Sequence, residues 1–441
     1  MSEEQTVQRI SIFILLTLCL VLALTVAQIT RRSVPNGAVG LVSPPPTSKL
    51  LAIRCGRFIE VSTGQEIVET IILVQGKKIV AVGGGLAIPP GTPVIDLSEA
   101  TVLPGLIDAH THITYHFDAN GHFGGSALET RATAAKYARE NARDTLYAGY
   151  TTIRNLGASG LIDINLRDDI NAGKVPGPRM IASGEPLLSE DMPAGADKTV
   201  RIAAIREWVR ARIREGADVI KIFEGVDAAN NPVFSEEEIR AAVDEAALSG
   251  RRVAVHAHEA PAIKAAVRGG CTSIEHGTFA DDEARRLMVQ HHTALVPTLF
   301  LPTHYLEHKN QFDFDEGTWQ FFRDLQARNI PNARLAIRAG VWIVSGSDAV
   351  AGVHGHNARE LEWLVKAGLT PARAIHAATV DAAKLLGLQD QVGEIKKGNL
   401  ADIIAVPGDP LQDITRLQNV QFVMKDGQVV KNTLVAAPKG F

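Results

Sequence analysis

Along the 441 residues the pattern of hydrophobic and polar positions changes texture three times. From Ile10 to Ala27 there is no charge, only an apolar run uniform around any helix drawn through it, which reads against an amphipathic core helix. Its length just spans a bilayer. Thr25 and Ala27 offer the small residues of a cleavage site, so residues 1–32 read as a signal peptide or an uncleaved membrane anchor. Glu3 and Glu4 dilute the leading charge, and Arg31 and Arg32 after the run favour the opposite orientation of an anchor. Export from the cytoplasm, to a periplasmic or extracellular location, or tethering through residues 10–27 is expected. Residues 33–48 are rich in Pro, Gly and Ser and read as a linker.

Short β-type runs follow at Leu51–Ile53, Glu69–Gln75 and Lys78–Val82, with turns at Gln75-Gly76 and Gly83–Gly85. The same texture returns in Ala401–Val406 and Gln421–Val430, with a turn near Asp426-Gly427. Neither end has enough strands for a stable sheet. Residues 49–103 and 393–435 are therefore expected to make one small β-sandwich domain together.

Between them strand-like runs alternate with helical ones. The runs are Leu106–Ala109, Thr151–Asn155, Arg179–Ala182, Val219–Phe223, Val253–Val255, Ser273–Glu275, Leu295–Val296 and Trp342–Val344. Among the helices, Ser235–Leu248 opens with capping-box spacing between Ser235 and Glu238, and Asn357–Ala367 has Leu361, Leu364 and Val365 on one face. Eight alternations over roughly 280 residues match an α/β fold of the (β/α)₈ TIM-barrel type, spanning 104–392. A doubly wound open sheet is disfavoured, because no Gly-rich phosphate fingerprint follows the first strand.

Composition narrows the chemistry. Net charge is −4 with no concentrated basic segment, which argues against nucleic acid as a partner. With 14 His against 3 Cys, a metal site here would use nitrogen and oxygen ligands. Cys19 lies in the apolar leader; Cys55 and Cys271 read as packed thiols, with a single disulfide as the alternative.

In a barrel of this type the catalytic residues sit at the carboxyl ends of the strands. The first strand ends in His110-Thr111-His112, two His that point the same way and can bind one metal. The fourth carries Lys221 among apolar neighbours, where an unpaired ammonium is costly. Either an acid pairs with it, or its amine has reacted with CO₂ to give a bridging carbamate. The fifth ends in His256-Ala257-His258, the sixth in Glu275-His276-Gly277 and the eighth in Gly346-Ser347-Asp348. Any one of these alone is weak evidence; chance assembly of all of them is improbable.

The segment from Thr101 to His112 (TVLPGLIDAHTH), then Ser273–Gly277, Gly346–Asp348 and Gly398–Ile403, resembles the amidohydrolase superfamily over about residues 50–435. The resemblance is strongest to its prolidase-like and ochratoxinase-like branch, which cleaves amides of amino acids. It implies that His110, His112 and Asp348 hold one divalent metal and His256 and His276 a second, zinc being expected. It further implies that carboxylated Lys221 and a hydroxide bridge the two, with Asp348 passing the proton to the leaving amine. One departure concerns the residue before the Ser that opens the helix after the lysine strand. The resemblance leads one to expect a Tyr contacting the substrate carboxylate there, and this chain has Phe234.

Tyr115, His116, His258, His304, His354 and His356 fall on or after strand ends and are candidate substrate contacts. The expected reaction is hydrolysis of a linear amide: a dipeptide, an Xaa-Pro-like dipeptide or an N-acyl amino acid. The expected assembly is a homo-oligomer. Two other readings stand beside it. One is a cyclic-amide hydrolase of the imidazolonepropionase-like type, which would need one metal and no Lys221. The other is a barrel that has lost its chemistry, against which six intact candidate ligands argue.

Overall fold

The computed structural model describes residues 49–124 and 129–434. The expected leader at 1–32, its apolar run at 10–27 and the linker at 33–48 lie outside the described residues. Among those described, no helix is long and apolar enough to cross a membrane.

The amino-terminal strands are β1 (Leu50–Glu60), β2 (Gln65–Gln75), β3 (Lys78–Gly84) and β4 (Val94–Pro104). Seven parallel-type strands follow: β5 (Leu106–Thr111), β6 (Tyr150–Asn155), β7 (Arg179–Ala182), β8 (Val219–Phe223), β9 (Arg252–Glu259), β10 (Ser273–Phe279) and β11 (Ala294–Val296). The chain ends in β12 (Ile403–Val406), β13 (Phe422–Lys425) and β14 (Gln428–Asn432).

Strands from the two ends meet in one sheet, ordered β14-β13-β12-β4-β1-β2-β3. The strands are hydrogen-bonded in one continuous series, and side chains of β1, β2 and β3 share one buried apolar cluster with those of β12 and β13. The reason is β4, which runs parallel to β1 through residues 94–102 and antiparallel to β12 through residues 101–104. That strand escaped the sequence pattern, because Asp96, Ser98 and Glu99 face solvent in its first half and interrupt the apolar run. Cys55 and Cys271 are both buried and free.

The parallel strands form a three-stranded sheet, β5-β6-β7, and a four-stranded sheet, β8-β9-β10-β11. Each is almost wholly buried, as expected where helices cover a parallel sheet. A bridge between Leu187 and Ile222 joins the two sheets at one side. The expected eighth run, Trp342–Val344, is too short for a strand of its own. It lies extended between β11 and β5, through a bridge from Ile343 to Leu295 and the Ala109 N–H donating to the Ser345 carbonyl at 3.0 Å. The helix at Glu236–Ala247 has the expected capping box: Ser235 accepts from the Glu238 N–H while the Glu238 carboxylate accepts from the Ser235 N–H at 2.7 Å. The later helix begins at Arg359, two residues after the expected Asn357. Asn357 is drawn off to hydrogen-bond Asp108 at 2.8 Å.

Arg179, on β7, ties the parallel strands to the terminal sheet. It donates to Asp402 at 2.7 Å and to Thr152 at 3.0 Å, and also pairs with Asp426. Asp402 is buried, so removing it leaves a largely sequestered guanidinium short of a partner. Asp402→Ala should lower unfolding stability by about 3 kcal/mol, read as a shifted urea midpoint, with both sheets losing structure together. An unchanged midpoint would show that this tie contributes nothing to cohesion.

Candidate active site

The carboxyl ends of the parallel strands gather most of the chemistry in the chain. His110 lies on β5 and His112 just past its end, and the pairing of β5 with β6 slips between Asp108 and Thr111. A second slip falls between Ala257 and Glu259 on β9. Such irregularities re-aim side chains at the ends of strands. His276 and Asp348 adopt φ of 74° and 51°, in the left-handed region that non-glycine residues seldom occupy. At Gly346 an added Cβ would stand 2.4 Å from a Val296 methyl and 2.9 Å from the His110 nitrogen, so only glycine lets the Asp348 loop approach β5 this closely.

Asp108 holds the two together. Its buried carboxylate accepts from the His110 N–H (3.1 Å), the Ser347 N–H (2.9 Å), the Ser347 hydroxyl (2.5 Å) and Asn357 (2.8 Å). A second buried chain runs behind His110. Arg154 donates to the Ala109 carbonyl at 2.6 Å and to Glu275 at 2.8 Å, and Glu275 faces His110 Nδ1 at 2.9 Å. Burial alone would raise the Glu275 carboxyl; Arg154 and His110 overcome it and hold it down at about 2. A carboxylate there makes Nδ1 the protonated nitrogen, which leaves the Nε2 lone pair of His110 free.

That Nε2 lies 3.3 Å from His112 Nε2 and 3.4 Å from Asp348 Oδ1, and His112 Nε2 lies 3.2 Å from the same oxygen. Burial pushes His110 down to about 4, so it is neutral at ordinary pH. Asp348 is held at about 2, burial being outweighed by the histidines beside it. A neutral nitrogen and an anionic oxygen thus converge with His112 on a buried point, and a cation is the group that satisfies them together.

A second cluster joins His256, His258 and His276, with candidate ligand atoms all within 4.8 Å of one another. Their rings are 4.6 to 4.9 Å apart, and His276 stands 5.2 Å from His110. His276 Nδ1 bonds Thr298 at 2.7 Å and His258 Nδ1 bonds Thr278 at 3.1 Å. Burial holds all three rings neutral, His258 at about 4 and the other two well below their ordinary value. Lys221 is wholly buried with no hydrogen-bond partner for Nζ among the described residues. Burial lowers it to about 8, and its charge in turn disfavours protonation of His110, His256, His258 and His276 alike.

The remaining candidates divide. Tyr115 stacks on His112 with centroids 5.1 Å apart, and His258 joins the second cluster. His116 stacks on Tyr137 and meets Glu129 at 2.9 Å. His304 bonds the Ala351 carbonyl at 2.8 Å, and His354 lies between Thr145 and the His112 carbonyl. These three spend ring nitrogens on the scaffold, and His356 is exposed. Phe234 is buried, its backbone N–H donating to Glu224 at 3.2 Å. Glu275, Arg154 and Asp108 were missed as working residues. An acid two residues after Ser and one before His, with an Arg in the apolar run of an earlier strand, was the available signal.

The Amidohydrolase family model matches residues 101–430. Ochratoxinase of Aspergillus niger is 30% identical over 438 aligned residues, covering 89% of this chain and 88% of that one. Among solved structures, a Xaa-Pro dipeptidase with methionine bound in its active site superposes with a TM-score of 0.79 at 34% identity, covering 87% of this chain and all of that one. A prolidase complexed with N-methylphosphonate-L-proline gives 0.78 at 28% identity, covering 87% of this chain and 100% of that chain. The chain belongs to the amidohydrolase family. It is a hydrolase acting on amide or peptide bonds.

Glu275→Gln should remove the charge that balances buried Arg154 and cost about 3–5 kcal/mol in the metal-free protein. Because folding lowers the Glu275 pKa, its contribution is complete above the unfolded value of roughly 4.3 and fades as pH falls toward 2. Urea midpoints of wild type and variant should therefore converge in acid. A gap that stays constant down to pH 2 would rule out this charge pair as its source.

Proposed function

We propose that this chain is a metal-dependent amidohydrolase with a two-metal site that cleaves a linear amide: a dipeptide, an Xaa-Pro-like dipeptide or an N-acyl amino acid. The observation behind this reading is a pair of ligand clusters flanking a buried lysine whose amine has no partner among the described residues. The donors suit zinc or a similar divalent ion. His110, His112 and Asp348 would hold one ion, and His256 and His276 the other, with His258 within the same second cluster. Lys221, lowered to about 8 by burial, keeps an appreciable neutral fraction near pH 7 and is able to add CO₂. The carbamate would remove the unpaired cation and supply the bridging anion.

The ions would lower the pKa of water and polarise the scissile carbonyl. Asp348, a carboxylate throughout the neutral range, takes the proton from the attacking water and delivers it to the leaving amine. Glu275 keeps His110 in the tautomer that presents Nε2. No serine or cysteine nucleophile is required. The same reading makes residues 104–392 a (β/α)₈ barrel, supported by the Leu187–Ile222 bridge on one side and, on the other, by the bridges Leu295–Ile343 and Thr111–Ala349 from each sheet to the intervening segment 343–349. Residues 49–103 and 393–435 would form the accompanying domain. A single-metal cyclic-amide hydrolase would leave Lys221 without a role.

The test is elemental analysis with a hydrolysis screen of dipeptides, N-acyl amino acids and lactams. About two divalent ions per chain and turnover of linear amides are expected; no metal, and activity indifferent to chelators, would end the proposal. Lys221→Ala should abolish turnover and acetate should restore part of it, whereas full activity in that variant would point to one metal. Wild-type reloading with metal and bicarbonate should quicken from pH 6.5 to 8.5 as the amine loses its proton.

Asp348→Asn should lower kcat roughly 10²–10⁴-fold with little change in melting temperature. A near-normal kcat with weakened metal binding would make Asp348 a ligand alone.

The leader directs location in this reading, through export or a tether at residues 10–27. Deleting residues 1–32 should yield a soluble protein with full activity. A truncated protein that misfolds without any membrane would assign the leader to the fold.

A further inference from the structure

The entry to one helix touches the supports of both ligand clusters. Just before the helix Arg359–Ala367, the Asn357 side chain donates to Asp108 at 2.8 Å and to the Ser347 hydroxyl at 3.2 Å, behind the first cluster. Three residues on, Glu360 reaches the turn that follows β11. One of its carboxylate oxygens accepts the Leu299 N–H and the other the Phe300 N–H, both at 2.9 Å. Glu360 is wholly buried and makes no ion pair among the described residues. Burial pushes its carboxyl up to about 8, although both amides pull the other way. A buried acid without a cation is costly, so its presence here calls for more than the filling of space.

The turn that Glu360 grips carries Thr298. Its φ of 48° is a left-handed conformation that a β-branched residue seldom adopts, and such a conformation persists only where its surroundings enforce it. The two N–H groups bound by Glu360 are the ones that come directly after this residue. Phe300 is clamped a second time, with the Arg359 guanidinium carbon 4.0 Å from the centre of its ring. Held in this way, the Thr298 hydroxyl lies 2.7 Å from His276 Nδ1. With the hydroxyl accepting, Nδ1 carries the ring proton and the Nε2 lone pair is free for a cation.

On the two-metal reading above, we propose that Glu360 is the positioning residue of the second cluster. Through the Leu299 and Phe300 amides it fixes the Thr298 turn, and Thr298 fixes the ring and the tautomer of His276. Glu360 touches no reacting group and acts only through the threonine. Asn357 braces the Asp348 loop from the same stretch of chain, so the entry to this helix sets the spacing between the clusters, where His110 and His276 stand 5.2 Å apart.

The full chain is stripped of metal and titrated with zinc against a competing chelator, with bicarbonate present, so that two binding steps are resolved. His276→Ala identifies the step that belongs to the second cluster. Glu360→Gln keeps the size of the side chain and loses one of its two acceptors; Thr298→Val removes only the hydroxyl. Each should weaken the second-cluster step roughly 10–100-fold and leave the other step unchanged. Thr298→Ser, which keeps the hydroxyl, should bind as wild type does. Nitrogen NMR of the metal-free chain gives a reading that needs no ion. The His276 ring, assigned by its loss in His276→Ala, should be a single Nδ1–H tautomer in wild type and Thr298→Ser and a mixture in Glu360→Gln and Thr298→Val. If Glu360→Gln does not fold, Glu360→Asp takes its place, the shorter acid being unable to reach both amides. A Glu360 variant that binds both ions normally, or that weakens both steps alike, overturns the positioning role while two-metal binding stands. Thr298→Ser behaving as Thr298→Val does would break the link through the hydroxyl and overturn it too. Wild-type chain that takes up one ion or none removes the parent reading, and this one with it.

Discussion

Two oxygens of one buried carboxylate decide where the catalytic face is. Asp108 makes no ion pair among the described residues; it is held by four hydrogen bonds, one from its own strand at the His110 N–H, two from Ser347 and one from Asn357. Burial pushes its pKa up and those bonds pull against it, so each donor matters more than it would at a surface. Through them the start of one ligand pair, the strained Asp348 turn and the entry to the helix at Arg359 become a single rigid piece. Everything about the first cluster, including the 3.2 to 3.4 Å spacing of its ligand atoms, presupposes this piece.

Around it the site is arranged as layers of decreasing polarity. Arg154 and Glu275 form an ion pair under His110, threonines tip the rings of His258 and His276, and rings of Tyr115, Phe223, Phe279 and Phe321 close the outside. Desolvation keeps His110, His256, His258 and His276 unprotonated, while His110 and His112 beside Asp348 hold it ionised against its own burial, the states in which each can serve as a ligand.

Much of this was legible in the sequence. His110, His112, His256, His276 and Asp348 stand where apolar runs end and Lys221 stands within one, so the alternation of strand-like and helix-like patterns marked them as candidates, and the family resemblance supplied their roles. Sequence spacing put His258 on the same side as His256, but only the structure shows it closing a cluster with His276. Glu275 and Arg154 were visible as letters and silent as partners, since their meeting depends on strands 119 to 121 residues apart in the chain. His116, His304 and His354 look like site residues by position. Their hydrogen bonds to scaffold groups are tertiary facts that no local pattern encodes. The strand Val94–Pro104 was hidden for the opposite reason: its solvent-facing half is polar, and its partners come from both ends of the chain.

The central place of that strand has a consequence for how the chain comes into being. While β1 to β4 emerge first, the β4 edge that β12 will occupy must wait for the last tenth of the polypeptide. Until then it presents unpaired N–H and C=O groups, the template on which foreign strands add. Assembly of the terminal sheet is thus necessarily late and set by long-range closure. A nascent chain interrupted anywhere before about residue 403 would carry an open edge, making truncated products the natural seeds of aggregation for this protein.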